Sequence, residues 1–472
     1  MKNKIALIGA GSIVFCKTLL NDMFNTPSLA NFEYALMSPT PQKIEKMKNY
    51  AQKIIDKNKL GARVYATTDR SEALKDAKYV ILMFQIGGNE AFKLDYEIPL
   101  KYGVDQCIGD SMGPGGIFRF LRTYNVLGDI DRDMAELCPG ATVLNYVNPM
   151  GMVCTYLGKA TKMKYIGLCH GVQTTMDLIS GYTDTPKNEI DFVAAGINHM
   201  AWFLKLEHNG IDLYPKLKEN MEKPEYYINE KVRGEVMRHY GYFMTESTGH
   251  LSEYLPWFRK NEKSLDLYCD QPDFGGASGA YYKFSSAVQE KFNRIDVLSI
   301  ETGELEPRSK EYCSYILEAI ETNVAFRLNG NVQNKNYITN LPNGACVEVP
   351  VYVDREGLHP LTVGDLPSQL AAMNQSNITV QGLAVEAAMK VDAELAFAAV
   401  SMDPLTSAVL NLSEIRAMTA EMFAAEAKWM PEFSKKSLKK VSDINVPEGT
   451  VGAPVPQDPA LAINNRFGKL GG

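Results

Sequence analysis

Short apolar runs recur through the first part of the chain, separated by segments whose apolar residues fall at helical spacing. This alternation is the strongest constraint on what the chain can fold into. The runs lie at 5–8, 33–37, 62–66, 79–84, 142–147 and 165–169. They show little polar alternation, as expected of strands covered on both faces, which is how parallel sheets are buried. Between the second and third, a segment starting at Pro41 places Ile44, Met47, Tyr50, Ala51, Ile54 and Ile55 along one helical face. The predicted class is α/β, with an N-terminal Rossmann-like, doubly wound parallel sheet. Beyond about residue 193 the pattern changes. Residues 193–197 and 201–206 read as strands flanking Asn198 and His199. Helical segments then dominate at 309–326 (Ser309 a candidate N-cap), 381–402 and 413–429. The tail from 442 is rich in Pro, Gly and Asn. The expected division is a dinucleotide-binding domain over 1–195 and a helix-rich, mixed α+β domain for substrate, metal and oligomerisation over 196–441. An extended tail is expected at 442–472.

A length of 472 residues suits two to four domains at about 100–200 residues each. Lys and Arg total 49 against 56 Asp and Glu, a net charge of −7. Without a basic block, bulk electrostatics gives a phosphate backbone nothing to hold, which sets nucleic-acid binding aside. No stretch approaches the ~18 apolar residues of a membrane span, and the run at 5–8 is too short for a signal-peptide core. The eight cysteines have no CxxC spacing. The expectation is a cytoplasmic protein whose cysteines are thiols.

The first run ends in Gly9-Ala10-Gly11-Ser12-Ile13 and leads into a helix. Gly9 permits a tight turn, and Gly11 lets backbone amides approach a pyrophosphate at the helix N-terminus. Position 14 is valine rather than the third glycine of the dinucleotide fingerprint. The second run is followed by Ser38, where an NAD site usually has an acidic residue for the ribose hydroxyls. With Lys43 nearby, NAD is the expected cofactor and NADP an alternative. Cys169 and His199 each end a candidate strand, and thiolate with imidazole is a plausible ligand pair for a divalent transition metal. Each alone also reads as an ordinary buried side chain. Gln85, Asn89, Asp110 and Asn148 sit in loops just past strands, where ligands of open α/β sheets gather.

Several motifs in one order then carry a resemblance. They are IGAGS at 8–12, FQIGG at 84–88, DSMGPGG at 110–116 with Arg119, LNYVNPM at 144–150 and GLCHGVQ at 167–173. AAGINHMAW at 194–202, TESTGHLSEYLPWF at 245–258 and NLPNGACVEV at 340–349 complete the set. Over about residues 4–432 the chain resembles the NAD- and Mn²⁺-dependent glycoside hydrolase family 4, most of all its α-galactosidase branch. This family departs from the usual two-carboxylate mechanism. The resemblance implies oxidation of the sugar at C3 by hydride transfer to NAD, removal of the C2 proton, and elimination of the aglycone. Water addition and return of the hydride then complete the cycle.

The resemblance also implies roles. Cys169 and His199 would hold Mn²⁺. Asn148 would contact substrate, with Asn89, Asp110 and Arg119 as further substrate contacts and Gln85 beside the cofactor. His170, after the metal cysteine, would protonate the leaving group where phospho-glucoside members carry Asp. The C2 base would come from 242–257, with Tyr254, His250 and Glu246 as candidates; on a helix, His250 and Tyr254 would share a face. Cys-His-Gly at 169–171 departs from the Cys-His-Ser usual in the α-galactosidase branch and is similar to the α-glucosidase and α-glucuronidase branches. The expected activity is hydrolysis of α-galactosides such as melibiose. Alternatives are an α-glucosidase, α-glucuronidase or α-galacturonidase, a plain NAD-dependent dehydrogenase, or a cofactor-retaining sensor. Family analogy implies a homodimer or homotetramer.

Overall fold

In a computed structural model of the chain, residues 3–294, 296–436, 438–456 and 460 are described. All the strands described belong to a single sheet. Six are parallel: β1 (Lys4–Ile8), β2 (Glu33–Met37), β3 (Arg63–Thr67), β4 (Tyr79–Leu82), β5 (Thr142–Asn145) and β6 (Lys164–Gly167). Their order is β3-β2-β1-β4-β5-β6, the doubly wound arrangement that alternating strands and helices favour. Burial explains the apolar runs: Ile5, Ala6, Leu7, Val80 and Ile81 have no exposed surface. The helix Pro41–Asn58 turns Ile44, Met47, Ala51 and Ile54 into the core, along the predicted face.

The sheet continues into the second half. β7 (Asp191–Ile197), β8 (Met200–His208) and β9 (Ile211–Asp212) form an antiparallel meander. β10 (Phe326–Gln333) and β11 (Cys346–Asp354) join it to β6, and β12 (Gly357–Pro360) pairs with β11. The two joints are narrow, one register pair each: Gly167 with Asn331, and Gly196 with Glu348.

Three expected helices come out differently. The segment 309–326 is helical only over Tyr312–Thr322, with Glu311 rather than Ser309 at the N-cap, and Phe326 opens β10. Asn323 takes a left-handed φ of 64° that ends the helix, and the Ser309 hydroxyl instead hydrogen-bonds the Asp22 carboxylate. The segment 381–402 is two helices, Ser368–Lys390 and Ala393–Met402. Val391 at φ 51° breaks them, and the Asp392 carboxylate caps the second by accepting from the Glu394 and Leu395 amides. The segment 413–429 is the helix Leu412–Glu426 followed by a 3-10 turn, started by a capping box between Asn411 and Glu414. Met1–Leu438 form one compact unit and Lys439–Gly472 another. In the latter, residues 439–456 carry only turns and irregular backbone, and 457–459 and 461–472 lie outside the described residues.

Candidate active site

The carboxyl ends of β1, β4, β5 and β6 lie side by side in the parallel order, roughly 4.8 Å apart. They carry, in turn, the Gly9 turn, Gln85, Asn148 and the Cys169-His170 pair. Gly9 has φ +99°, and a Cβ there would stand 2.6 Å from the Met83 carbonyl oxygen, so only glycine fits. Gly9 and Ala10 amides donate to the Met37 carbonyl at 2.9 and 3.0 Å, folding the turn over the end of β2. Ser12 is the N-cap of the helix Ile13–Phe24, and its hydroxyl does not cap it. First-turn amides therefore keep donors for a phosphate. A Cβ at Gly11 would lie 3.0 Å from Ser38 Oγ and 3.5 Å from Lys43 Cδ, so Ser38 and Lys43 face the turn as the sequence suggests. Gln85 bonds back to the Gly88 carbonyl at 3.1 Å, closing its own loop.

At the far end of this row the sheet gathers a second group. His199 occupies the β7–β8 turn at φ 65°, a left-handed conformation uncommon outside glycine and a sign of functional constraint. Residues 244–246 run beside β8: Met244 bridges Trp202, and the Thr245 amide donates to the Ala201 carbonyl at 3.0 Å. That register sets Glu246 against His199. His199 Nε2 stands 3.3 Å from Cys169 Sγ and 3.4 Å from Glu246 Oε2. Its Nδ1 stands 3.1 Å from the Tyr254 hydroxyl. His250 Nδ1 is 3.7 Å from the same Glu246 oxygen, and its ring lies 4.5 Å from that of His199. His199, Glu246 and His250 offer ligand atoms within 4.8 Å of one another. His250 and Tyr254 do meet, with ring centroids 5.4 Å apart. The helix here is the single turn Thr248–Leu251 rather than one spanning both residues.

The electrostatics prepare a cation site. Burial lowers His199 to about 4, so it is a neutral imidazole able to ligate. Burial, with Glu348 and Glu246 adding to it, pushes the Cys169 thiol up, so binding a metal would release its proton. Burial opposes charge on Glu246, but His199 and His250 outweigh it and hold the carboxyl far below the ordinary range. Burial likewise opposes charge on His250, yet the Glu246 hydrogen bond and charge raise it to about 9. His170 is exposed at the N-cap of the helix Gly171–Thr183, its Nδ1 3.4 Å from Glu311 Oε1, and that contact raises its pKa. A thiol, a neutral imidazole and a carboxylate, beside a buried His250 Nε2 with no hydrogen-bond partner among the described residues, fit a divalent transition metal.

Asp110 links this group to β5. Its Oδ2 accepts from Asn148 Nδ2 at 3.0 Å, its Oδ1 accepts from the Ser111 hydroxyl at 2.6 Å, and Arg119 Nη1 lies 3.8 Å away. Burial opposes its charge, but Arg119 and His250 hold the carboxyl below its usual value. Arg119 is buried over the Phe92 ring, and its Nε and Nη1 have no hydrogen-bond partner among the described residues. Asn89 stands apart: its amide is engaged by Gln289 and Ser285 of the helix Ala280–Arg294, each at 2.7 Å.

Two consecutive family models match almost end to end: family 4 glycosyl hydrolase over residues 4–184, and the family 4 glycosyl hydrolase C-terminal domain over 194–406. The chain belongs to glycosyl hydrolase family 4. This hydrolase is 39% identical to an alpha-galactosidase of Rhizobium meliloti over 91% of its length and 90% of that protein's. It is equally 39% identical to an alpha-galactosidase of Bacillus subtilis, over 91% and 99%. Among solved structures it is similar to lplD of Bacillus subtilis, with TM-score 0.79 at 26% identity, covering 89% of this chain and 99% of that one. It shares its fold with the 6-phospho-beta glucosidase of Thermotoga maritima, solved with manganese, NAD+ and glucose-6-phosphate. There the TM-score is 0.75 at 21% identity, covering 90% and 99%. Family membership sets the plain dehydrogenase alternative aside.

Two carboxylates of this family 4 hydrolase escaped sequence reasoning. Glu348, on β11, is buried, carries an oxygen with no hydrogen-bond partner among the described residues, and is raised by burial and by Glu246 to about 8. Its signal was a charged residue inside an apolar strand run. Glu253 is fully buried and accepts from the Ile108 and Gly109 amides at 2.5 and 3.0 Å, fixing the loop that presents Asp110. Gly171 also gains a reason: a Cβ there would stand 2.9 Å from the carbonyl oxygen of Thr245, the residue before Glu246.

Proposed function

We propose that this hydrolase cleaves α-galactosides of the melibiose type, using NAD and Mn²⁺, with residues 1–195 as its dinucleotide half and 196–441 as its sugar half. The observation that carries the reading is the convergence of Cys169 and Tyr254 on the His199 imidazole, with the Gly9 turn and Asn148 at the carboxyl ends of strands in the same sheet. The alpha-galactosidases at 39% identity supply the sugar.

NAD bound at the Gly9 turn would supply the hydride acceptor and donor for C3, and a divalent ion held by Cys169 and His199 would supply a Lewis acid. The remaining work falls to side chains. Asn148, held by Asp110, orients the sugar, with Arg119 completing that wall. With Nε2 of His199 directed to the ion, its Nδ1 carries hydrogen and donates to the Tyr254 oxygen. In the metal-free protein, burial and the charges of Glu246, Asp110 and Glu253 keep Tyr254 a phenol; a cation beside it reverses that field. Tyr254 then accepts the C2 proton, which the C3 ketone has acidified. His170, charged through Glu311, gives its proton to the departing oxygen. Water then adds at C1 of the unsaturated product and a proton returns to C2; the reduced cofactor would supply the hydride that restores C3.

Gly171 favours one second reading, an α-glucosidase, because the family's α-glucosidase branch shares Cys-His-Gly. Assay of p-nitrophenyl α-galactoside against the glucoside and glucuronide, with and without NAD and Mn²⁺, separates these. Incorporation of solvent deuterium at C2 of the released sugar is the expected signature. Full turnover after exhaustive removal of nucleotide and metal would refute the proposal. We further propose that the enzyme works in a reducing, cytoplasmic setting as a homodimer or homotetramer; its eight cysteines are free thiols. Among the described residues, no helix is long and apolar enough to cross a membrane.

A further inference from the structure

We infer that Glu246 is a third protein ligand of the divalent ion, so that this chain holds the metal through Cys169, His199 and Glu246 before any sugar arrives. The inference rests on the reading of Cys169 and His199 as ligands. Its starting point is the crowding at one atom. His199 Nε2 faces a thiol at 3.3 Å and a carboxylate oxygen at 3.4 Å, while its other ring nitrogen is occupied by Tyr254. Nε2 has one lone pair or one proton, and neither can serve both neighbours. A single cation among the three atoms serves all of them. Donors of one first-row ion sit about 2.0–2.3 Å from it, so neighbouring donors at right angles are about 3 Å apart. The two separations measured from Nε2 are close to that before any closing of the site around an ion.

A second observation points the same way. His250 is buried, its Nδ1 faces the Glu246 oxygen at 3.7 Å, and its Nε2 has no hydrogen-bond partner among the described residues. His250 therefore stands behind Glu246 as the outer partner that fixes a ligating carboxylate. Three protein ligands suit an ion with six positions, leaving room for two sugar oxygens and a water. Glu246, once engaged, is no longer free to act as the C2 base, which leaves that role to Tyr254.

Mn²⁺ titrations of the NAD-loaded protein, followed by electron paramagnetic resonance without sugar, test this on wild type, Glu246→Gln, Glu246→Asp and Cys169→Ser. Quenching of intrinsic fluorescence by NAD checks that each variant is folded. The expected result is that Glu246→Gln weakens Mn²⁺ binding by more than the ~10–100-fold an outer partner is worth. Glu246→Asp should recover part of that loss. Co²⁺ loading should keep its thiolate charge-transfer band in Glu246→Gln and lose it in Cys169→Ser. If Glu246→Gln binds Mn²⁺ as tightly as wild type while Cys169→Ser does not, Glu246 is not a ligand and the wider reading stands. If Cys169→Ser also binds normally, the wider reading falls with it.

Discussion

His199 is the residue on which the site turns. Its left-handed backbone aims one ring nitrogen at Cys169 and Glu246 and the other at Tyr254. Cys169→Ser is expected to abolish Mn²⁺-stimulated turnover with little change in thermal midpoint; unchanged Mn²⁺ dependence would remove Cys169 from the ligand set. Gly171 allows a sharper test. A serine there would bring Cβ to 2.9 Å from the Thr245 carbonyl oxygen, and overpacking of this kind costs about 1–3 kcal/mol. Gly171→Ser should lower stability by that amount in urea unfolding and displace the segment that carries Glu246. A variant as stable as wild type would show that the backbone gives way freely. Gly171 was visible in the sequence as a departure from the branch pattern. The clash that demands glycine was not, because Thr245 is remote in the chain.

Elements are held in place by buried charge. Arg122 joins Asp95 of the helix Gly88–Lys101 to Glu426 at the end of Leu412–Glu426, with all three side chains fully buried. Two carboxylates on one guanidinium need a shared proton. Burial and the charge of Asp95 place it on Glu426, whose pKa stands well above the ordinary range. Glu426→Gln should therefore cost under about 1 kcal/mol, whereas Arg122→Met should cost about 3–5 kcal/mol by leaving charge unpaired. Equal losses in chemical denaturation would contradict the assignment.

Asp403 ties Pro404–Val409 to the loop of Asp110, accepting from the Gly113 amide at 3.1 Å and from Thr406. Burial raises it from 3.8 to about 6. A carboxyl that is harder to ionise in the folded state makes the fold bind the extra proton. Its contribution is thus present below pH 3.8 and is lost as pH rises through about 6. The loss amounts to roughly 3 kcal/mol. Asp403→Asn should flatten the stability profile between those two values; an unchanged slope would exclude Asp403 as its source. Strands β1–β8 were legible from their apolar runs, within one or two residues at each end, whereas β9–β12, including the long pair β10 and β11, were not read as strands. The helices failed where a single left-handed residue, Asn323 or Val391, divides a continuous apolar pattern.

For the whole molecule, one sheet carries both halves of the chemistry. The Gly9 turn and Cys169 lie on the parallel half and His199 on the antiparallel half, joined through β6 and β10 by the single pair Gly167–Asn331. NAD and Mn²⁺ should each raise the unfolding midpoint, by about 2.7 kcal/mol of stability at 100-fold excess over Kd. Together they should give more than either alone, read by thermal denaturation. A metal effect absent without NAD would mean the two sites form only together.

By itself the sequence determined the parallel half of the sheet, the dinucleotide turn and the family. Those depend on local patterns: apolar runs, glycines at fixed offsets, and motifs kept in order. Tertiary structure alone decided that Glu246 shares an imidazole with Cys169, that Asn89 faces Gln289 instead of the cluster, and that Glu348 and Glu253 are buried beside the chemistry. Each of these depends on strand register and loop path, which bring together residues as many as two hundred positions apart. No periodicity along the chain encodes a distance of that kind.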